Sequence, residues 1–193
     1  MRRAALVAVA LHVAFFLDAP FLTFGQRTRV YRWKEQIVVN SLELNLLLFW
    51  AMGKWFLGWE RRLVPPAGEI ALAAAGLALV LGGVGLVVWT KLTLGRWFAA
   101  GFMIKEGHEL RVRGPYRITR HPMYTGVLAV FAGAALTWNS ALTLLLGALF
   151  AIPLFFHTAV EEEILERQFG DAYRDYRSRV PRLVPFARAG GKP

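Results

Sequence analysis

Two polar stretches hold the residues whose types and spacing could do chemistry. The first runs from Lys105 to Tyr124 and contains the string Arg120-His121-Pro122-Met123-Tyr124. Proline favours the first helical position, because its φ is preset and its missing N–H is not needed there. His121 is then the cap, and the backbone N–H groups of Met123 and Tyr124 point out of the helix start. Such a start suits an anion, a carboxylate or a phosphate. Arg120 sits beside it and can add a bidentate contact. His121 and Tyr124 are three apart and share one face. Gly107 and Gly114 permit tight turns on the approach. The plainer reading is a basic loop that binds lipid headgroups, and the residues alone leave both open.

The second stretch begins with Glu161-Glu162-Glu163, directly after an apolar run, and continues to Arg182 and Pro185. Acids at a helix start suit the helix dipole, so they could simply cap a tail helix. Three acids at the edge of an apolar segment are costly, however, and that favours a cationic partner: Arg120, or a ligand's ammonium or sulfonium group. Other chemistries find no support. There is no Gly-x-Ser-x-Gly and no His-Glu-x-x-His. The four histidines, at 12, 108, 121 and 157, lack metal-ligand spacing, so no metal is expected. The absence of cysteine excludes disulfides, thiolate metal sites and cysteine nucleophiles.

The elements that must position these residues are apolar. Of 193 residues, 56% are hydrophobic and 19% charged, above and below the usual range for soluble domains. Five apolar segments stand out: 4–24, interrupted by His12, Asp18 and Pro20; about 36–59, with Glu43 and Asn45; 67–90; 122–138; and 140–157. A membrane-spanning helix needs roughly 20 apolar residues. The last two segments are separated by Asn139 alone, so they read as a helical hairpin that enters the bilayer and returns. Each arm reaches only about 27 Å, thin for a full crossing. The first segment has a basic start, but no small-x-small site follows it, which argues against a cleaved signal peptide. Small residues that let helices approach closely are expected at Ala71, Ala75, Ala74, Ala78 and Gly82, and at Gly126, Ala129 and Gly133. The run Gly82-Gly83-Val84-Gly85 lies inside an apolar helix with no strand before it, so packing explains it better than phosphate binding.

The net charge of +10 then means basic loops against anionic headgroups rather than nucleic acid. Eighteen Lys and Arg fall in three segments of one side: 25–35, 91–120 and the tail after His157. The other side holds five: Arg2, Arg3, Lys54, Arg61 and Arg62. That asymmetry predicts a cytoplasmic C-terminus. Both polar stretches then lie on the cytoplasmic side, brought together by the hairpin.

The string Arg120-His-Pro-Met-Tyr-Thr-Gly126, the apolar hairpin, then Glu161-Glu162-x-x-Leu165-x-x-x-Phe169-Gly170-x-x-Tyr173-x-x-Tyr176 and Arg182-x-x-Pro185 resemble the isoprenylcysteine carboxyl methyltransferase family. More broadly they are similar to membrane methyltransferases that include the phospholipid methyltransferases. The resemblance covers about 95–186. It implies a cofactor, S-adenosylmethionine, in a pocket beside the hairpin closed by the C-terminal tail. It places His108, Leu110, Val112, Gly114 and Tyr116 on the adenosine side. His121, Tyr124, Glu161 and Glu162 would hold the amino-acid end, with Arg120 towards the acceptor and Glu162 available to take a proton.

The expected fold is all-α and integral to the membrane, with about five transmembrane helices, the last two a short hairpin, plus a cytoplasmic C-terminal helix. The N-terminal spans would occupy 1–90 and the methyltransferase core 91–193. The expected partners are membrane lipids and a lipid-like or small methyl acceptor: a carboxylate, a phospholipid amine or a small thiol. A lipid-binding scaffold or carrier is the non-enzymatic alternative.

Overall fold

The computed structural model describes residues 28–30, 62–98, 103–105 and 107–183. The expected first two spans, 4–24 and 36–59, lie outside the described residues. What is described is predominantly helical. Helix α1 spans Glu69–Leu94, α2 spans Pro122–Thr137, α3 spans Ala141–Phe169 and α4 spans Asp171–Arg179. Two three-residue strands accompany them: β1, Thr28–Val30, pairs antiparallel with β2, Met103–Lys105.

Helix α1, which continues the Pro66–Gly68 turn, and helix α3 are each long and apolar enough to cross a membrane. At 1.5 Å per residue they reach about 39 and 44 Å, against a hydrocarbon core of roughly 30 Å. Helix α2 reaches only about 24 Å. The hairpin is present, but its second arm corrects the expectation. It does not stop at His157 and restart as a tail helix. It runs unbroken to Phe169, so the three glutamates sit inside a long helix and cap no helix start.

Backbone contact between α1 and α2 explains how the bundle closes. A Cβ on Gly76 would lie 2.6 Å from the Gly133 carbonyl oxygen, and one on Gly83 would lie 2.6 Å from that of Gly126. The reciprocal distances are 2.6 and 2.7 Å. The two antiparallel helices therefore touch main chain to main chain at two levels, two turns apart, as small residues allow in lipid. Gly126 and Gly133 were expected there. On α1 the contact falls on Gly76 and Gly83 instead of Gly82, whose Cβ position is open.

The hairpin turn is held by Asn139, which adopts a positive φ of 49°. Its side-chain oxygen accepts from the N–H groups of Leu63 and Val64 at 2.8 and 2.9 Å. Its amide donates to the Val64 carbonyl and to Glu69. Ser140 then caps α3 by accepting from the Thr143 N–H at 3.1 Å. Val87, Val127, Phe150 and Leu154 form the buried apolar centre. Outward faces carry large apolar residues, including Ile70, Leu92 and Phe156.

Candidate active site

The start of α2 is built as the string Arg120-His-Pro-Met-Tyr implied. Pro122 is the first helical residue and His121 its cap. The His121 ring lies 5.8 Å from Tyr124, and Tyr124 lies 5.5 Å from His157 on α3. The segment after α4 clamps this start. The N–H groups of Arg120 and His121 donate to the carbonyls of Pro181 and Arg182 at 2.9 and 3.1 Å. The hydroxyls of Thr119 and Thr125 donate to Arg182 and Leu183. Residues 181–183 thus attach to the helix start as a short strap.

Beneath the strap lies a dense charge cluster. Glu162 is 2% exposed. Its carboxylate meets Arg120 at 3.1 Å, His121 Nε2 at 3.2 Å and Arg182 at 2.7 Å, with Arg177 at 3.9 Å. Glu161 Oε2 stands 3.5 Å from His121 Nδ1. The imidazole therefore bridges two carboxylates. Burial alone would push its pKa down, but its pairing with the Glu161 and Glu162 carboxylates outweighs that and raises it above the ordinary histidine value.

A cavity opens beside this cluster. Its walls include His108, Leu110, Tyr116, Arg120, His121, Tyr124 and Glu161 from the expected set, brought together from the approach loop, α2 and α3. Three expected residues do not line it. Val112 is exposed. Gly114, with a φ of +59°, makes a turn against Thr93 and Trp89. Glu162 lies behind the wall, consumed by its basic partners.

Sequence reasoning missed Trp97, which stacks on His108 with ring centres 5.4 Å apart, and also the cavity-lining Phe98, Tyr173 and Tyr176. The Phe-Gly-x-x-Tyr-x-x-Tyr spacing was the available signal for the tyrosines. Burial pushes the Tyr116, Tyr173 and Tyr176 phenols well above their ordinary value, so all three stay neutral hydroxyls.

The cavity concentrates unmet hydrogen-bonding capacity. Arg111 Nε, Arg120 Nε, Glu161 Oε2 and the Tyr173 hydroxyl are buried without a hydrogen-bond partner among the described residues. All four residues line this one cavity. The ion-pair contacts of Arg120 and Glu161 are close but out of hydrogen-bond alignment. Buried polar groups are normally satisfied, so a cluster of donors and an acceptor left open marks a place for a polar ligand. Arginine donors beside a carboxylate acceptor fit a zwitterion.

The fold and site define a helical protein with apolar, membrane-length helices and a small-molecule cavity at one end of the bundle. A profile described as phospholipid methyltransferase matches residues 71–172, more than half of the chain. The chain belongs to that family. It is 29% identical to methanethiol S-methyltransferase 1 of Bradyrhizobium diazoefficiens over 84% of this chain and 61% of that one. It is 33% identical to protein-S-isoprenylcysteine O-methyltransferase B of Arabidopsis thaliana over 58% of each. A solved structure of the eukaryotic intramembrane Ras methyltransferase, isoprenylcysteine carboxyl methyltransferase, shares the fold with a TM-score of 0.55 at 22% identity, over 84% of this chain and 56% of that one. The chain thus spans about three fifths of the length of these relatives.

Proposed function

We propose that this chain is an integral membrane methyltransferase that draws on S-adenosylmethionine and acts on a lipid-like or small, membrane-delivered acceptor. The observation that carries the reading is the set of four buried polar atoms without a hydrogen bond among the described residues, all around one cavity beside a helix start. S-adenosylmethionine, when bound, supplies an activated methyl group on a sulfonium. The protein's work is then mainly positioning. Arg120 and the first N–H groups of α2 would hold the ligand's carboxylate, and Glu161 its ammonium. His108, Trp97, Leu110 and Tyr116 would flank the nucleoside. Tyr124, between His121 and His157, offers an aromatic face to a cation. Glu162 organises Arg120, His121 and Arg182 from behind.

The relatives named above act on a prenylated cysteine and on methanethiol. A carboxylate acceptor needs no general base. A thiol must lose its proton, and Glu161 is the carboxylate at the cavity wall that could receive it. About five spans, with both polar stretches and the C-terminus cytoplasmic, complete the proposal. It rests on the eighteen-to-five asymmetry of basic residues. The test is calorimetric titration with S-adenosylhomocysteine in detergent, followed by a labelled methyl donor given to membranes with and without the protein. Saturable binding and a protein-dependent labelled product are expected. No heat and no thermal shift at millimolar ligand would overturn the reading.

A further inference from the structure

Two tyrosines three apart on α4 differ in one respect. Tyr176 donates its hydroxyl to the Tyr116 carbonyl at 2.7 Å. Tyr173, 1% exposed and packed edge-on at 6.0 Å from Tyr176, has a hydroxyl with no partner among the described residues. A phenylalanine would fill the same space without that orphan. A buried hydroxyl left unbonded is destabilising, so its presence at a cavity wall calls for a partner that arrives from outside.

The neighbouring charges are those of Glu162, Arg120 and Glu161. The phenol keeps its proton in this setting, so it acts as a donor. Arg120, whose Nε lies 3.1 Å from Glu162 without hydrogen-bond alignment, lines the same cavity. We propose that the Tyr173 hydroxyl is a ligand-contacting group that donates, together with Arg120, to a carboxylate oxygen at the amino-acid end of the cofactor. This rests on the function proposed above and adds a residue to it.

The experiment compares the full chain and Tyr173→Phe in detergent. Each is titrated with S-adenosylhomocysteine and with 5′-methylthioadenosine, which lacks the amino-acid end, and each is melted without ligand. The expected result is about a ten-fold weaker affinity of Tyr173→Phe for S-adenosylhomocysteine, equal affinity for methylthioadenosine, and a ligand-free melting temperature unchanged or raised. Tyr176→Phe, which loses a satisfied hydrogen bond, should melt lower. Equal S-adenosylhomocysteine affinity in parent and Tyr173→Phe would overturn the contact while leaving the methyltransferase reading intact. Equal loss for both ligands would also overturn it, by assigning the hydroxyl to the nucleoside side. A ligand-free melting temperature several degrees lower would make the hydroxyl structural. A parent that binds neither ligand would remove the functional reading and this inference with it.

Discussion

Glu162 and Glu163 are adjacent in the chain and opposite in setting. Glu162 faces Arg120, His121 and Arg182 in the interior, whereas Glu163 pairs with Arg167 at the surface. Removing one member of a buried ionic cluster leaves the other charges uncompensated, at about 3–5 kcal/mol; an exposed pair contributes under about 1 kcal/mol. Glu162→Gln should therefore lower thermal stability markedly and weaken S-adenosylhomocysteine binding, with Glu163→Gln close to the parent in both. Comparable losses in the two would show that the interior cluster is not what organises the site. His121 makes a second prediction. Its folded pKa is raised above the unfolded value of about 6.5, so its contribution is complete below that pH and lost as pH rises through the folded value. Thermal stability should fall from pH 6.5 upward in the parent, and His121→Gln should flatten that slope.

At the scale of the element, α1 and α2 are held by the Gly76–Gly133 and Gly83–Gly126 contacts. Main chain meets main chain there, so a side chain has nowhere to go. Gly83→Val or Gly126→Val should separate the helices, costing on the order of 1–3 kcal/mol or more. Gly82→Ala and Gly85→Ala add a methyl into open space and should be neutral or stabilising by about 0.5–1 kcal/mol. Melting curves of the four variants in detergent check this; equal effects at Gly82 and Gly83 would contradict the packing. The clamp of residues 181–183 onto Arg120 and His121 gives α4 its place over the cavity. On the tail side that clamp uses only main-chain carbonyls, met by two N–H groups and the hydroxyls of Thr119 and Thr125, so the motif Arg182-x-x-Pro185 hinted at a tail near the site without saying how it attaches.

For the whole molecule, the exposed apolar side chains on α1 and α3, Ile70 at 87% and Phe156 at 64% among them, are what lipid accommodates and water does not. The distribution of basic residues sets which way such a bundle faces. Reporter fusions at Pro193 and beside Arg113 should both read cytoplasmic. A signal from the opposite side at either position would invert the hairpin and separate the two polar stretches from the compartment proposed for them.

Composition and local pattern settled much of this by themselves. Apolar segments of span length follow from hydropathy alone, and the hairpin from two shorter ones with only Asn139 between them. Pro122 after His121 announces a helix start because proline's φ and missing N–H are local properties. The pairing of that start with an acidic run was legible from charge. Tertiary structure decided the rest, because it depends on helix rotation and on partners distant in sequence. Whether the acids began a new helix or continued α3 turned on the three-dimensional run past His157, since Glu, Leu and Ile are good enough helix formers to continue it. Which α1 glycine touches α2 turned on the rotation of one helix against the other: Gly82 and Gly83 differ by about 100° around the axis. The separation of Glu161, at the cavity wall, from Glu162, locked behind it, has the same origin, because neighbouring positions on one helix face different surroundings once the bundle closes.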